Sequence, residues 1–313
     1  MLHTVMYHYV QDPARMPLPL KVMPVDAFRR QVRRLAECFE MATLESAMAY
    51  LAGGYKPRRD LCLLTFDDGL AEHAHTVTPL LAEMGIEGIF FLITACCEEN
   101  RVAPVHMNHV LMAALPFGDY RREFFHEVAI RPDEAQVDAA AAKATYPWDS
   151  PEVASFKYYF NFLARPGDRD RAVSALFQRH FGREDEFSRT FYLSWTGARA
   201  MQSAGMKIGG HTHLHRPLSS LAAPELFADL DRCRGLLHSR LRPQPYWPFS
   251  YPYGKLASFT PESVSMLRTL GFHCGCTTEE GANCQGTDPF LLRRVDCKKA
   301  PMEAAVSPSE VAQ

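Results

Sequence analysis

Apolar and polar positions change period several times along the first hundred residues. "HTVMYHYV", His3 to Val10, reads as a first strand. "VDAFRRQVRRLAECFE" sets Phe28, Val32 and Leu35 on one face of a helix. "LCLLTF", Leu61 to Phe66, is an unbroken apolar run of strand length, the kind that a parallel sheet buries on both faces. A helix through "VTPLLAEMG" and a strand in "IEGIFFLIT" come next. This strand–helix order predicts a parallel sheet, open or closed into a barrel.

From about residue 100 the period becomes helical throughout. No glycine occurs between Asp119 and Pro166. "YRREFFHEV", "EVASFKYYFNFL" and "DRAVSALFQRHF" carry helical patterning, with Pro132, Pro147, Pro151 and Pro166 as expected breaks. Residues 100–190 are expected to form a helical insertion, a lid or subdomain, between barrel segments 1–99 and 191–313. Beyond it the βα pattern resumes. "MKIGGH" is a short strand, "PELFADLDRCRGLLHSRL" a helix, "YWPFSYPYG" a strand and loop, "PESVSMLRTLG" a helix and "FHCGCTT" a strand. No periodicity is evident after about Asp296.

Composition narrows the class. The chain has 313 residues, 47% hydrophobic and 22% charged, enough for a full core in one large domain or two modest ones. A net charge of -2 speaks against nucleic acid or an anionic membrane surface as partner. No apolar run reaches the roughly 18 residues of a membrane span. "MLHTVMYHYV" lacks the basic region and long apolar segment of a secretory signal. The nine cysteines are odd in number and include no C-x-x-C pair, so a zinc ribbon or a thioredoxin-like motif is not expected. Free, mostly buried thiols and a cytoplasmic location are expected.

Two stretches carry chemistry. The apolar run to Phe66 ends in Asp67 and Asp68, and adjacent like charges disfavour joint ionisation unless something compensates. Asp68-Gly69 could simply be a turn, or the pair could face a cation. "GGHTHLHRPL" holds His211, His213 and His215 directly after a predicted strand. On a helical turn His211 and His215 would share a face, a good chelating pair for a divalent metal; a solvated histidine-rich loop is the alternative. With a carboxylate pair at another strand end, a divalent ion would take one carboxylate and leave the other free beside it. Two histidines, one carboxylate, an open position for water and a nearby base make up a metal hydrolase site.

"TFDDG", then "HTHLH", then "FSYPYG", in this order and spacing, resemble the polysaccharide deacetylase (NodB-homology) family of carbohydrate esterases. The flanking "MYHYV", "YLSW", "LGFHCGCTTEEGAN" and "PFLLRRVD" fit as well. The resemblance implies an α/β fold, a distorted TIM-like (β/α)7 barrel. It implies metal-dependent removal of N- or O-acyl groups, usually acetyl, from sugars. Carried over by motif, Asp67 resembles the catalytic base. Asp68, His211 and His215 resemble the metal ligands, with Zn2+ the leading divalent ion. Thr212 would steady the loop, the backbone N–H of Tyr253 would help bind the oxyanion, and Arg294 would orient the base. A packed proline turn at Tyr251–Tyr253 and surface charge at Arg293 and Arg294 are the plainer alternatives.

The sequence departs from the family in one respect. Members commonly carry a Leu-x-His motif that supplies the general acid. After Gly254 the only histidine is His273, within a predicted strand. The acid is therefore sought at His8, at the end of the first strand, and at His106 and His109 in "VHMNH". The reading is a de-N-acylase of a sugar, acting on a C–N amide bond. A nucleotide- or lipid-linked intermediate of surface-polysaccharide assembly is the expected substrate. A non-catalytic sugar-binding module on a degenerate deacetylase scaffold is the alternative. A non-heme iron oxygenase shares the ligand set but needs a jelly-roll β fold.

Overall fold

The computed structural model describes residues 1–12, 20–131 and 134–300. The expected break at Pro132 lies outside these. The principal strands are β1 (Leu2–Tyr7), β2 (Leu61–Phe66), β3 (Gly88–Leu92), β4 (Lys207–Gly210), β5 (Pro248–Ser250), β6 (Cys274–Cys276) and β7 (Val295–Asp296). They lie in the order β7-β1-β2-β3-β4-β5-β6, every neighbouring pair parallel, and Glu40–Met41 adds a short eighth strand beside β2. Just before β7, Leu292 bridges in parallel to Cys276 of β6, which draws the two ends of the sheet toward each other. Helices surround the sheet. This is the distorted seven-stranded (β/α) barrel, and its parallel strands leave no place for a jelly roll.

Strand register sets which residues share an end of the sheet. Tyr7 pairs with Phe66, Phe66 with Phe90, Leu92 with Gly210 and Gly210 with Phe249. His8, Asp67, His211 and Ser250 therefore emerge at the same, carboxyl-terminal end.

Local reasons for these elements are plain. All six residues of β2 are buried, as its two-sided apolar run requires. In the helix Val25–Cys38, Phe28, Val32 and Leu35 are fully buried. The expected strand His3–Val10 stops at Tyr7, and Val10–Gln11 instead pairs with Met23–Pro24 in a separate ribbon. A helix over Leu44–Leu51, started by a reciprocal Thr43–Ser46 capping box, fills a stretch where the sequence suggested nothing.

The described chain divides into two compact units. One contains the barrel and, among the described residues, takes in 1–12, 21–99 and 189–300. The other is Asn100–Ser188. Its helices pack an aromatic core, with Phe124 and Phe156 edge-on at 5.3 Å. Pro151 and Pro166 open helices rather than break them, because a first-turn position has no need of the missing N–H. All nine cysteines are free, six of them buried. Among the described residues no helix is long and apolar enough to cross a membrane.

Candidate metal centre

The chain leaves β2 through Asp67 and turns through Asp68 and Gly69, whose φ angles are 76° and 63°. Leu193 N–H donates to the Gly69 carbonyl at 2.9 Å, and Leu70 bridges to Tyr192. The turn is thereby fixed from the "YLSW" segment. Six described non-glycine residues have positive φ, and four of them are Asp68, Thr212, His215 and Tyr253. Each such residue costs on the order of 1–3 kcal/mol, and strain of this kind collects where a site over-determines the backbone.

Asp68, His211 and His215 form one buried cluster, with a ligand atom from each lying within 4.8 Å of the others. Asp68 Oδ1 is 3.5 Å from His211 Nε2 and 3.6 Å from His215 Nε2. The two Nε2 atoms are 3.1 Å apart. Ligands held tetrahedrally about zinc at its usual bond lengths stand ~3.3 Å apart, so these three are spaced as a shared ion requires. The tautomer fits too. His211 Nδ1 lies 2.7 Å from the Ser250 carbonyl oxygen, which can only accept, so Nδ1 carries the hydrogen and Nε2 keeps its lone pair. Burial lowers the His211 pKa, but the Asp68 and Asp67 carboxylates more than offset this and raise it, the mark of a place that favours positive charge.

Asp67 lies outside the cluster, 2% exposed, and meets Arg294 as a fork. Arg294 Nη1 donates to Oδ1 at 2.8 Å and Nη2 to Oδ2 at 2.7 Å. The guanidinium is itself fixed by the Thr277 carbonyl at 2.7 Å, Ser250 Oγ at 3.0 Å and Thr65 Oγ1 at 3.3 Å. Burial alone would raise the Asp67 carboxyl, yet Arg294 brings it down to about 2. Of the two adjacent arginines it is Arg294 that pairs with Asp67. Arg293 sits against Gly281, and its N–H donates to the Asn283 side chain.

His8 places Nε2 3.9 Å from Asp67 Oδ2, with its side chain 40% exposed. Tyr253 and Gly254 make a left-handed turn, and the Tyr253 ring lies 5.3 Å from that of His215. The Tyr253 carbonyl accepts from Thr278 Oγ1 at 2.9 Å. His213 turns from the cluster, its ring meeting Thr94 Oγ1 at 3.0 Å and Glu99 at 3.1 Å. His106 and His109 belong to the other unit, on the helix Pro104–Ala114, with rings 5.9 Å apart and His106 fully buried. His273 Nδ1 accepts from Trp247 N–H at 3.0 Å, a contact between the starts of the paired strands β5 and β6.

Sequence reasoning missed several supporting groups. Ser250 serves both halves of the site, offering its carbonyl to His211 and its hydroxyl to Arg294. His73, in a π turn over His73–Val77, approaches the His8 carbonyl at 2.9 Å. Both contacts join residues far apart in sequence, and only Thr65, a polar residue inside an apolar run, gave a local sign.

Residues 170–275 match the family model described as polysaccharide deacetylase. The match takes in the loop of His211–His215 and the Ser250–Gly254 turn. Among solved structures, the deacetylase PplD of Streptococcus pyogenes, in complex with acetate, aligns with a TM-score of 0.58 at 14% identity, over 94% of this chain and 91% of that one. IcaB from Ammonifex degensii aligns at 0.55 and 20% identity, over 99% and 93%. A de-N-acetylase from Aggregatibacter actinomycetemcomitans aligns at 0.56 and 12% identity, over 96% and 97%. At such identities the structural likeness establishes the fold. Family match and fold together bear out the resemblance read from the motifs. No curated protein matches the sequence.

Proposed function

We propose that this chain is a metal-dependent hydrolase that removes an N-acyl group, acetyl foremost, from a sugar. The observation that carries the reading is the pairing of two unlike carboxylates on one turn. Asp68 joins two histidines in a cation-sized cluster, while Asp67 is held apart from it by Arg294. A turn alone needs neither arrangement.

Asp68, His211 and His215 would hold the ion, and their one-oxygen, two-nitrogen set suits zinc. When bound, the ion supplies a Lewis acid that acidifies water and polarises a carbonyl. The chain's own residues do the rest. Arg294 keeps Asp67 ionised at any working pH and aims both oxygens, so Asp67 is ready to take a proton from the attacking water. The Tyr253 ring lies against that of His215, and the Tyr253 backbone N–H would meet the developing oxyanion. His8 is the acid candidate in the barrel unit. Half-exposed beside Asp67, it would hand a proton to the leaving amine.

The substrate is proposed to be a nucleotide- or lipid-linked sugar or an oligosaccharide of N-acetylated units. The test is to strip the purified chain with a chelator and measure acetate release from N-acetylated nucleotide sugars and oligosaccharides, before and after adding Zn2+. Release from at least one class, restored by the metal, is the expected result. Release that the chelator leaves untouched would overturn the metal reading.

A further inference from the structure

The loop that carries both histidine ligands is neither helix nor strand. It leaves β4 at Gly210 and passes through left-handed backbone at Thr212, φ 64°, and His215, φ 55°. The His211 N–H still reaches a neighbouring strand, donating to the Leu92 carbonyl at 2.9 Å, but those of His213, Leu214 and His215 turn to side-chain acceptors. Thr212 Oγ1 provides one, taking the N–H of His215 at 2.8 Å. The other acceptor is a charge. Asp229, on the helix Ala223–Arg240, is 7% exposed and lies against this loop. Its Oδ1 accepts the N–H of His213 at 2.8 Å, and its Oδ2 accepts the N–H of Leu214 at 3.0 Å. Both oxygens are thus spent on two successive peptide groups, the middle two of the four between the ligands. On the opposite side, the loop's Thr212 and His213 carbonyls accept from Thr94 N–H at 3.2 Å and Ala95 N–H at 3.1 Å. Between them these contacts leave the peptide planes from Thr212 to Leu214 little freedom.

We infer that Asp229 is a positioning residue of the metal centre, whose carboxylate fixes the peptides between His211 and His215 and so sets the spacing of the two imidazoles. The inference rests on the metal reading proposed above. Only a carboxylate offers two acceptor oxygens at this span, one for each of two adjacent N–H groups. Asp229→Asn keeps the shape but turns an amide NH2 toward one of the donors. Loss of an outer group that orients a ligand typically weakens metal binding 10–100-fold.

The test is a zinc titration against a chromogenic chelator, with wild type, Asp229→Asn and Asp229→Ser in parallel. Thermal unfolding in EDTA reports the metal-free fold of each. Expected are zinc dissociation constants raised about 10–100-fold in the variants, with metal-free melting close to that of wild type. A variant that folds and binds zinc like wild type overturns the inference. So does loss of the metal-free fold in both variants, because Asp229 would then serve folding rather than the site. A wild-type chain that binds no zinc contradicts the proposed function itself and carries this inference down with it. The wild-type titration tells that outcome from the others.

Discussion

At the scale of single residues, Asp67 and Asp68 are the same amino acid with opposite surroundings. No property of either side chain alone separates them, and the residues by themselves left open which one would meet a metal. The separation comes from Arg294, whose pairing with Asp67 links positions 227 residues apart. Replacing Arg294 with Met should therefore act in two ways. The Asp67 carboxylate would be buried without its partner, at a cost of about 3–5 kcal/mol that urea denaturation would register. Its pKa would also rise, so the acid limb of the rate should move to higher pH. In the intact protein the Asp67 carboxyl is lowered from 3.8 to about 2. Its contribution to stability is thus complete above pH 3.8 and is lost as pH falls through about 2. Denaturation midpoints between about pH 5 and pH 2 should show this loss in wild type and not in Arg294→Met. For His8, Gln substitution should lower kcat roughly 10²–10⁴-fold, since an amide cannot hand a proton to the leaving amine. An unchanged kcat would pass the acid role to another group.

At the scale of elements, legibility tracks burial symmetry. β2 is readable to the residue because both of its faces are buried, and the pattern has one interpretation. The helix Val25–Cys38 is legible because three turns repeat one apolar face. Leu44–Leu51 is not, since eight residues give too short a repeat. The strand ending in Gly209-Gly210 is visible in the sequence without any reason for its glycines. The structure supplies one: a Cβ at Gly209 would fall inside contact distance of the Pro248 carbonyl oxygen and within 2.8 Å of Phe91. The adjoining strand lies too close for a side chain. Gly209→Ala should cost about 1–3 kcal/mol by overpacking and displace the strand that delivers His211. Chemical denaturation measures the first effect and zinc stoichiometry the second.

At the scale of the whole molecule, alternation and the family resemblance lead to the barrel, but neither reveals the register. It is the register that levels His8, Asp67, His211 and Ser250 at one end of the sheet. A site assembled from four strand ends should couple metal binding to global stability. Zinc at about 100 times its dissociation constant should add ~2.7 kcal/mol, read as a rise in melting temperature. That rise should vanish in His211→Ala. The central claim is the division of labour on one turn, and the most direct measurement compares Asp67→Asn with Asp68→Asn for bound zinc and for acetate release. Asp67→Asn should keep one zinc per chain and lose roughly 10²–10⁴ in rate, while Asp68→Asn should lose the zinc. Zinc lost from Asp67→Asn and retained by Asp68→Asn would contradict the account.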